Sequence, residues 1–126
     1  MIHLDTNLLI RIAQADKRVI GACEEWLESG ESFAVSSIVW FEFICGPLAA
    51  DDVRLIERVV AGRILPFSEP QAEHAAALFN AAGSKRAGRW DCMIAAAALA
   101  EDARLATLNP RDFGAFADAG LRLATI

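Results

Sequence analysis

The chain has 126 residues and a mass of 13.6 kDa, enough for one substantial core and too little for two, so a single domain over residues 1–126 is expected. Apolar residues make up 55% of it, but charges interrupt them at helical spacing, and no stretch reaches the roughly 18 unbroken apolar residues of a membrane span. A net charge of −5 argues against a polyanionic partner unless several of the acids share a cation, which would invert the local field.

Met1 to Asp5 reads as a short strand running into Thr6, a candidate N-cap for the apolar segment LLIRIAQ. Asp16 opens a second helical segment with Val19, Ile20, Cys23, Trp26 and Leu27 on one face and Gly30 as its stop. Ser32 to Ser36 is a candidate buried strand, and Ser36 or Ser37 can cap the helix IVWFEFICG, which Gly46-Pro47 ends. A helix over Asp51 to Ala61, a strand over Arg63 to Phe67 and a long alanine-rich helix from Glu69 to about Ala82 follow. Gly83 to Arg89 is a loop of Gly and basic residues.

Trp90 to Asp102 returns to helix and Arg104 to Thr107 to strand; NPRDFGAF carries turn signals, and Leu121 to Ile126 is a last strand. Short apolar strands alternating with amphipathic helices predict an α/β layer fold with a mainly parallel sheet. In such sheets a ligand site lies beyond the carboxyl ends of the strands. Asp5 follows the first strand there, and Asn109 and Asp112 follow the fourth.

The N-terminus lacks the basic flank and apolar stretch of a signal peptide, so a cytoplasmic protein is expected. Cys23, Cys45 and Cys92 form no CxxC pair and read as buried small hydrophobes. His3 and His74 are too few for a zinc site or a histidine-centred triad.

Acids set against apolar background are more informative. Glu42 interrupts an otherwise apolar helix, where an unpartnered carboxylate is expensive to bury. Asp91 stands in the first turn of its helix, where the macrodipole alone would favour an acid. Thr107, Asn109 and Asp112 belong to a loop that turn chemistry alone would explain. Aimed into one pocket with Asp5, they make a site of hard oxygen donors that suits Mg²⁺ or Mn²⁺ rather than zinc.

The segments LDTNLLI at 4–10, SSIVWFEFICG at 36–46, WDCMIAAAALAEDARLAT at 90–107 and NPRDF at 109–113 resemble, in order and spacing, the PIN-domain family, and within it the VapC toxins of type II toxin–antitoxin systems. The resemblance implies a PIN-like three-layer fold whose sheet of about five strands runs in the order 3-2-1-4-5 between helices. It implies an Mg²⁺- or Mn²⁺-dependent endoribonuclease that cuts single-stranded or loop RNA, leaving a 5′-phosphate and a 3′-hydroxyl. A cognate VapB-type antitoxin would hold it inactive, and a homodimer is expected.

Position by position, the resemblance assigns Asp5, Glu42 and Asp91 to the family's first three acids and leaves Asn109 or Asp112 for the fourth. Asp5 and Asp91 would be the principal metal ligands, with Glu42 and Asp112 orienting or deprotonating water. Thr6, Asn7, Thr107 and Asn109 would support them. Arg86, Arg89 and Arg111, with Lys85, would guide RNA phosphates, or else be solvated loop charges. Trp90 and Phe113 could stack on a base, but aromatics beside a helix start read first as core.

Two rival readings stand beside this one. A haloacid-dehalogenase-like phosphatase also places an aspartate after its first strand, yet wants a second two residues later, where this chain has Asn7. A catalytically silent module that keeps the fold and acts through a partner has the Asn at 109 as its support, against intact Asp5, Glu42 and Asp91.

Overall fold

A computed structural model of the chain describes residues 1–83 and 87–126. Five strands form one sheet: β1 (Ile2–Leu4), β2 (Phe33–Ser36), β3 (Ile64–Leu65), β4 (Arg104–Ala106) and β5 (Leu123–Ala124). Their order is β3-β2-β1-β4-β5 and each pairing is parallel, as the sequence led us to expect. Register sets Ile2 beside Phe33 on one side and beside Arg104 on the other, which aligns the carboxyl ends of the three central strands.

Six α-helices flank the sheet: α1 (Thr6–Ala13), α2 (Lys17–Glu28), α3 (Ser37–Ile44), α4 (Ala50–Val59), α5 (Glu69–Ala82) and α6 (Arg89–Ala100). Their starts follow the expected chemistry. The Asp16 carboxylate accepts from Arg18 N and Val19 N, Ser36 Oγ from Val39 N, and Ser68 Oγ from Gln71 N. Gly30, at φ +92°, supplies the left-handed turn that stops α2.

The strands are buried on both faces and read as continuous apolar runs for that reason. Ile2, Leu4, Phe33, Val35 and Leu105 form the centre of the core, with Leu8, Leu9, Phe43, Ile56 and Phe116 packed on from the helices. The alanines at 95 to 98 are also buried, because a small side chain lets α6 lie close against the sheet.

Several expectations need correction. Asp5, not Thr6, caps α1; Thr6 is the first helical residue. Leu27 does not reach the core with Val19 and Cys23 and is half exposed, and Cys45 is exposed just past the end of α3. The loop anticipated at NPRDFGAF is a 3₁₀ segment, Pro110–Ala119, held by burial of Phe113 and Phe116 three residues apart, the spacing that eclipses on a 3₁₀ helix. Trp90 is exposed rather than core, whereas Phe113 is buried. No helix among the described residues is long and apolar enough to cross a membrane.

Candidate metal centre

Between β1 and β4 the strand order reverses, since the chain leaves β1 toward β2 and leaves β4 toward β5. A parallel sheet opens a crevice at such a point, beyond its carboxyl ends. Asp5 sits there as the residue after β1, its backbone N–H donating to Ala106 O at 2.9 Å. The side chain is buried, at 7% exposure, yet both carboxylate oxygens are occupied. Oδ1 accepts from Thr6 N at 2.8 Å and Oδ2 from the Thr107 hydroxyl at 2.7 Å.

Thr107 is the hub on the β4 side. Its Oγ donates to Asp5 and accepts from Asn109 N at 3.1 Å and Asn7 Nδ2 at 3.4 Å, while Asn7 Oδ1 accepts from Leu108 N at 3.2 Å. From the β2 side, α3 brings Glu42, whose Oε2 accepts a hydrogen bond from the Thr6 hydroxyl. Thr6, Asn7 and Thr107 therefore fix two of the acids by three-centre contacts that span up to 102 residues of chain. Asn109 contributes its backbone N–H, and its side chain is exposed.

Asp91 enters from the first turn of α6, with Oδ2 near the capping Gly88. Its carboxyl is pushed up to about 6 by burial first, then by the charges of Asp112, Asp5 and Glu42. Burial raises the Asp5 carboxyl as well, with Glu42 and Asp112 adding to the rise; the hydrogen bonds from Thr107 and Thr6 oppose it. The four acids thus share one electrostatic environment, although they come from positions 5, 42, 91 and 112. Among the described residues none of the four takes part in an ion pair.

Uncompensated carboxylates in a half-buried cleft call for a cation. Among the described residues, no three His, Cys, Asp or Glu side chains are gathered as a ready-made cage. That favours Mg²⁺ or Mn²⁺ over a fully caged ion such as structural zinc. Mg²⁺ keeps several of its waters and needs only one or two direct carboxylates, the others acting through that water.

The basic residues anticipated near the site are dispersed. Arg86, with Lys85, lies outside the described residues. Arg89 sets its guanidinium 5.2 Å above the Phe79 ring of α5, and Arg111 is exposed beside Asp112. The sequence reading missed Arg11 and Arg18. With Thr107 and Asn109 they line a cleft of about 510 Å³ next to the acids. A charge in LLIRIAQ signals a solvated position, but nothing local says that it will face the end of β4.

A family model described as "PIN domain" matches residues 2–119. The structure of FitAB bound to an IR36 DNA fragment contains a chain 30% identical to this one. That similarity covers 99% of this chain and 94% of that one, with a TM-score of 0.67. A toxin–antitoxin complex from Klebsiella pneumoniae is similar at 25% identity over 90% of this chain and 91% of that one, TM-score 0.73. VapBC2 from Rickettsia felis, bound to a DNA fragment from its promoter, has the same fold. The TM-score is 0.75 at 23% identity, over 100% of this chain and 99% of that one. No curated protein sequence matches.

Proposed function

The chain belongs to the PIN domain family, and from that premise we propose that it is a VapC-type toxin: a metal-dependent endoribonuclease that cuts RNA phosphodiester bonds and is held inactive by a VapB-type antitoxin. PIN domains are in general nucleases that use divalent metals. The observation that carries the reading here is the convergence of Asp5, Glu42, Asp91 and Asp112, without an ion-pair partner among the described residues, at the β1/β4 crevice.

Asp5 and Asp91 would hold the metal, since these are the two carboxylates whose charge the fold penalises most visibly. A bound Mg²⁺ or Mn²⁺ would supply charge stabilisation at the phosphoryl oxygens and acidify a coordinated water. Glu42, fixed by the Thr6 hydroxyl, and Asp112, on the 3₁₀ segment, are placed to orient that water and take its proton. Asp112 fits the fourth position better than Asn109, because its charge acts on both Asp5 and Asp91 while the Asn109 contact within the site is a backbone one. Thr107 and Asn7 hold Asp5 in orientation. Arg86, Arg89 and Arg111 would meet RNA phosphates.

The toxin assignment is supported by the complexes that these structural relatives form. An apolar cleft of about 600 Å³ between α1, α2 and α4, with Ile12, Ile20, Leu27 and Val59 in its wall, is of a size for an antitoxin segment. The same reading carries a homodimer, a single domain over 1–126 and a cytoplasmic site of action.

The decisive experiment is cleavage of a labelled mixed RNA pool by wild type and Asp5→Asn, each with Mg²⁺, Mn²⁺ or EDTA. Metal-dependent cutting that the substitution abolishes is the expected result. Cutting that survives both EDTA and Asp5→Asn would exclude the acids as its source. If Mn²⁺ binding is the same before and after Asp5→Asn and no RNA is cut, the silent-module reading replaces this one.

A further inference from the structure

Across the seam between α3 and α6 the rings of Phe41 and Trp90 lie parallel, 3° from coplanar with centroids 5.9 Å apart. They are 57% and 43% exposed. The core does not account for them. Helix α3 buries Val39 and Phe43 and α6 buries Cys92 and Ile94, so each helix packs through other residues and leaves its aromatic outside. Two large apolar side chains at the surface are costly unless something covers them in use.

Their position indicates what that is. Phe41 directly precedes Glu42 and Trp90 directly precedes Asp91, so the stack borders two of the four site acids. We infer that Phe41 and Trp90 form a stacking platform for one nucleobase of an unpaired RNA strand, beside the phosphodiester to be cut. This inference rests on the ribonuclease reading above. It also answers a difficulty in that reading: the chain carries a net charge of −5 and its site is a cluster of carboxylates, so long-range electrostatics oppose a polyanion. Stacking on a flat aromatic surface needs no phosphate contact, tolerates any base and requires that the base be free of a duplex. Unpaired substrate and weak sequence preference at that nucleotide follow.

Ile44, one turn further along α3, is also exposed and extends the apolar strip, so a second copy of the chain is the competing occupant. The test measures KM for Mn²⁺-dependent cleavage of an unpaired 12-nucleotide oligoribonucleotide of mixed sequence, by wild type, Trp90→Ala and Trp90→Phe. Sedimentation velocity is run on the same proteins. The platform predicts a KM raised roughly ten- to hundredfold in Trp90→Ala, and most of that affinity restored by Trp90→Phe, which keeps a stacking face. Equal KM in all three proteins overturns the platform and leaves the ribonuclease reading intact. Association of two chains that Trp90→Ala abolishes assigns the rings to an interface and also overturns it. If wild type cuts no RNA under any metal condition, the ribonuclease reading fails and the platform falls with it.

Discussion

Asp91→Asn should stabilise the metal-free protein, although it deletes a charge that helix α6 by itself would favour. In the folded chain the Asp91 carboxyl titrates near 6 instead of its ordinary 3.8, because burial and then Asp112, Asp5 and Glu42 disfavour its charged form. Between those two values the folded state holds a proton that the unfolded state has released, so stability falls as pH rises through the window. The full span corresponds to about 3 kcal/mol, which partial solvation of the side chain reduces to on the order of 2 kcal/mol.

Asparagine keeps the shape and removes the penalty, while giving up roughly 0.5 kcal/mol of helix-dipole attraction. At about 4 °C per kcal/mol for a chain of this length, Tm in EDTA should rise about 6 °C at pH 8. Near pH 5 about half of the penalty is already relieved by protonation, so the rise should shrink to about 2 °C. Saturating Mn²⁺ should reverse the order, since a ligand at about 100 times its Kd adds roughly 2.7 kcal/mol to the protein that binds it. Thermal melts of both proteins at pH 5 and pH 8, with EDTA or Mn²⁺, measure all of this. A variant that melts below wild type in EDTA at both pH values would refute the reasoning and return Asp91 to an ordinary N-terminal helix acid.

Thr107→Val removes the hydroxyl that holds Asp5 Oδ2 and should lower Mn²⁺ affinity by roughly 10- to 100-fold, read by calorimetric titration, with Thr107→Ser retaining most of it. Asp112→Asn should weaken metal binding and cleavage more than Asn109→Ala; the reverse ranking would move the fourth position to Asn109. His3 lies inside the sheet, its Nε2 without a hydrogen-bond partner among the described residues, and burial, with a smaller push from the N-terminal amine, brings its pKa down to about 4. The unfolded chain takes up that proton first, so stability should be lost as pH falls from 6.5 toward 4. His3→Leu should flatten that limb in urea midpoints measured at pH 7 and pH 4.5.

Much of the architecture was legible because it is local. Helix α5 runs over Glu69–Ala82 as the alanine-rich stretch indicated, and Ser36 and Asp16 cap where their chemistry says they should. The misjudged places are those where local signals compete. Asn-Pro, Asp and Gly at 109 to 114 are turn formers, but two buried phenylalanines make the segment a 3₁₀ helix. Trp90 and Leu27 carry the hydrophobicity of core residues, and only the packing of α6 and α2 shows that the core is filled without them.

The sequence by itself determined the alternation of strands and helices, the end of the sheet at which Asp5 and the 107–112 loop stand, and an all-oxygen donor set that excludes zinc chemistry. Tertiary structure alone decided that Glu42 points toward Thr6, that Thr107 and Asn7 lock Asp5, that Asp112 joins the charge cluster, and that Phe41 and Trp90 meet outside it. The reason is physical. A strand or cap depends on neighbours a few residues away, whereas each of these contacts joins segments 36 to 102 residues apart. Their meeting depends on strand order, register and helix seating, which no short stretch of sequence encodes.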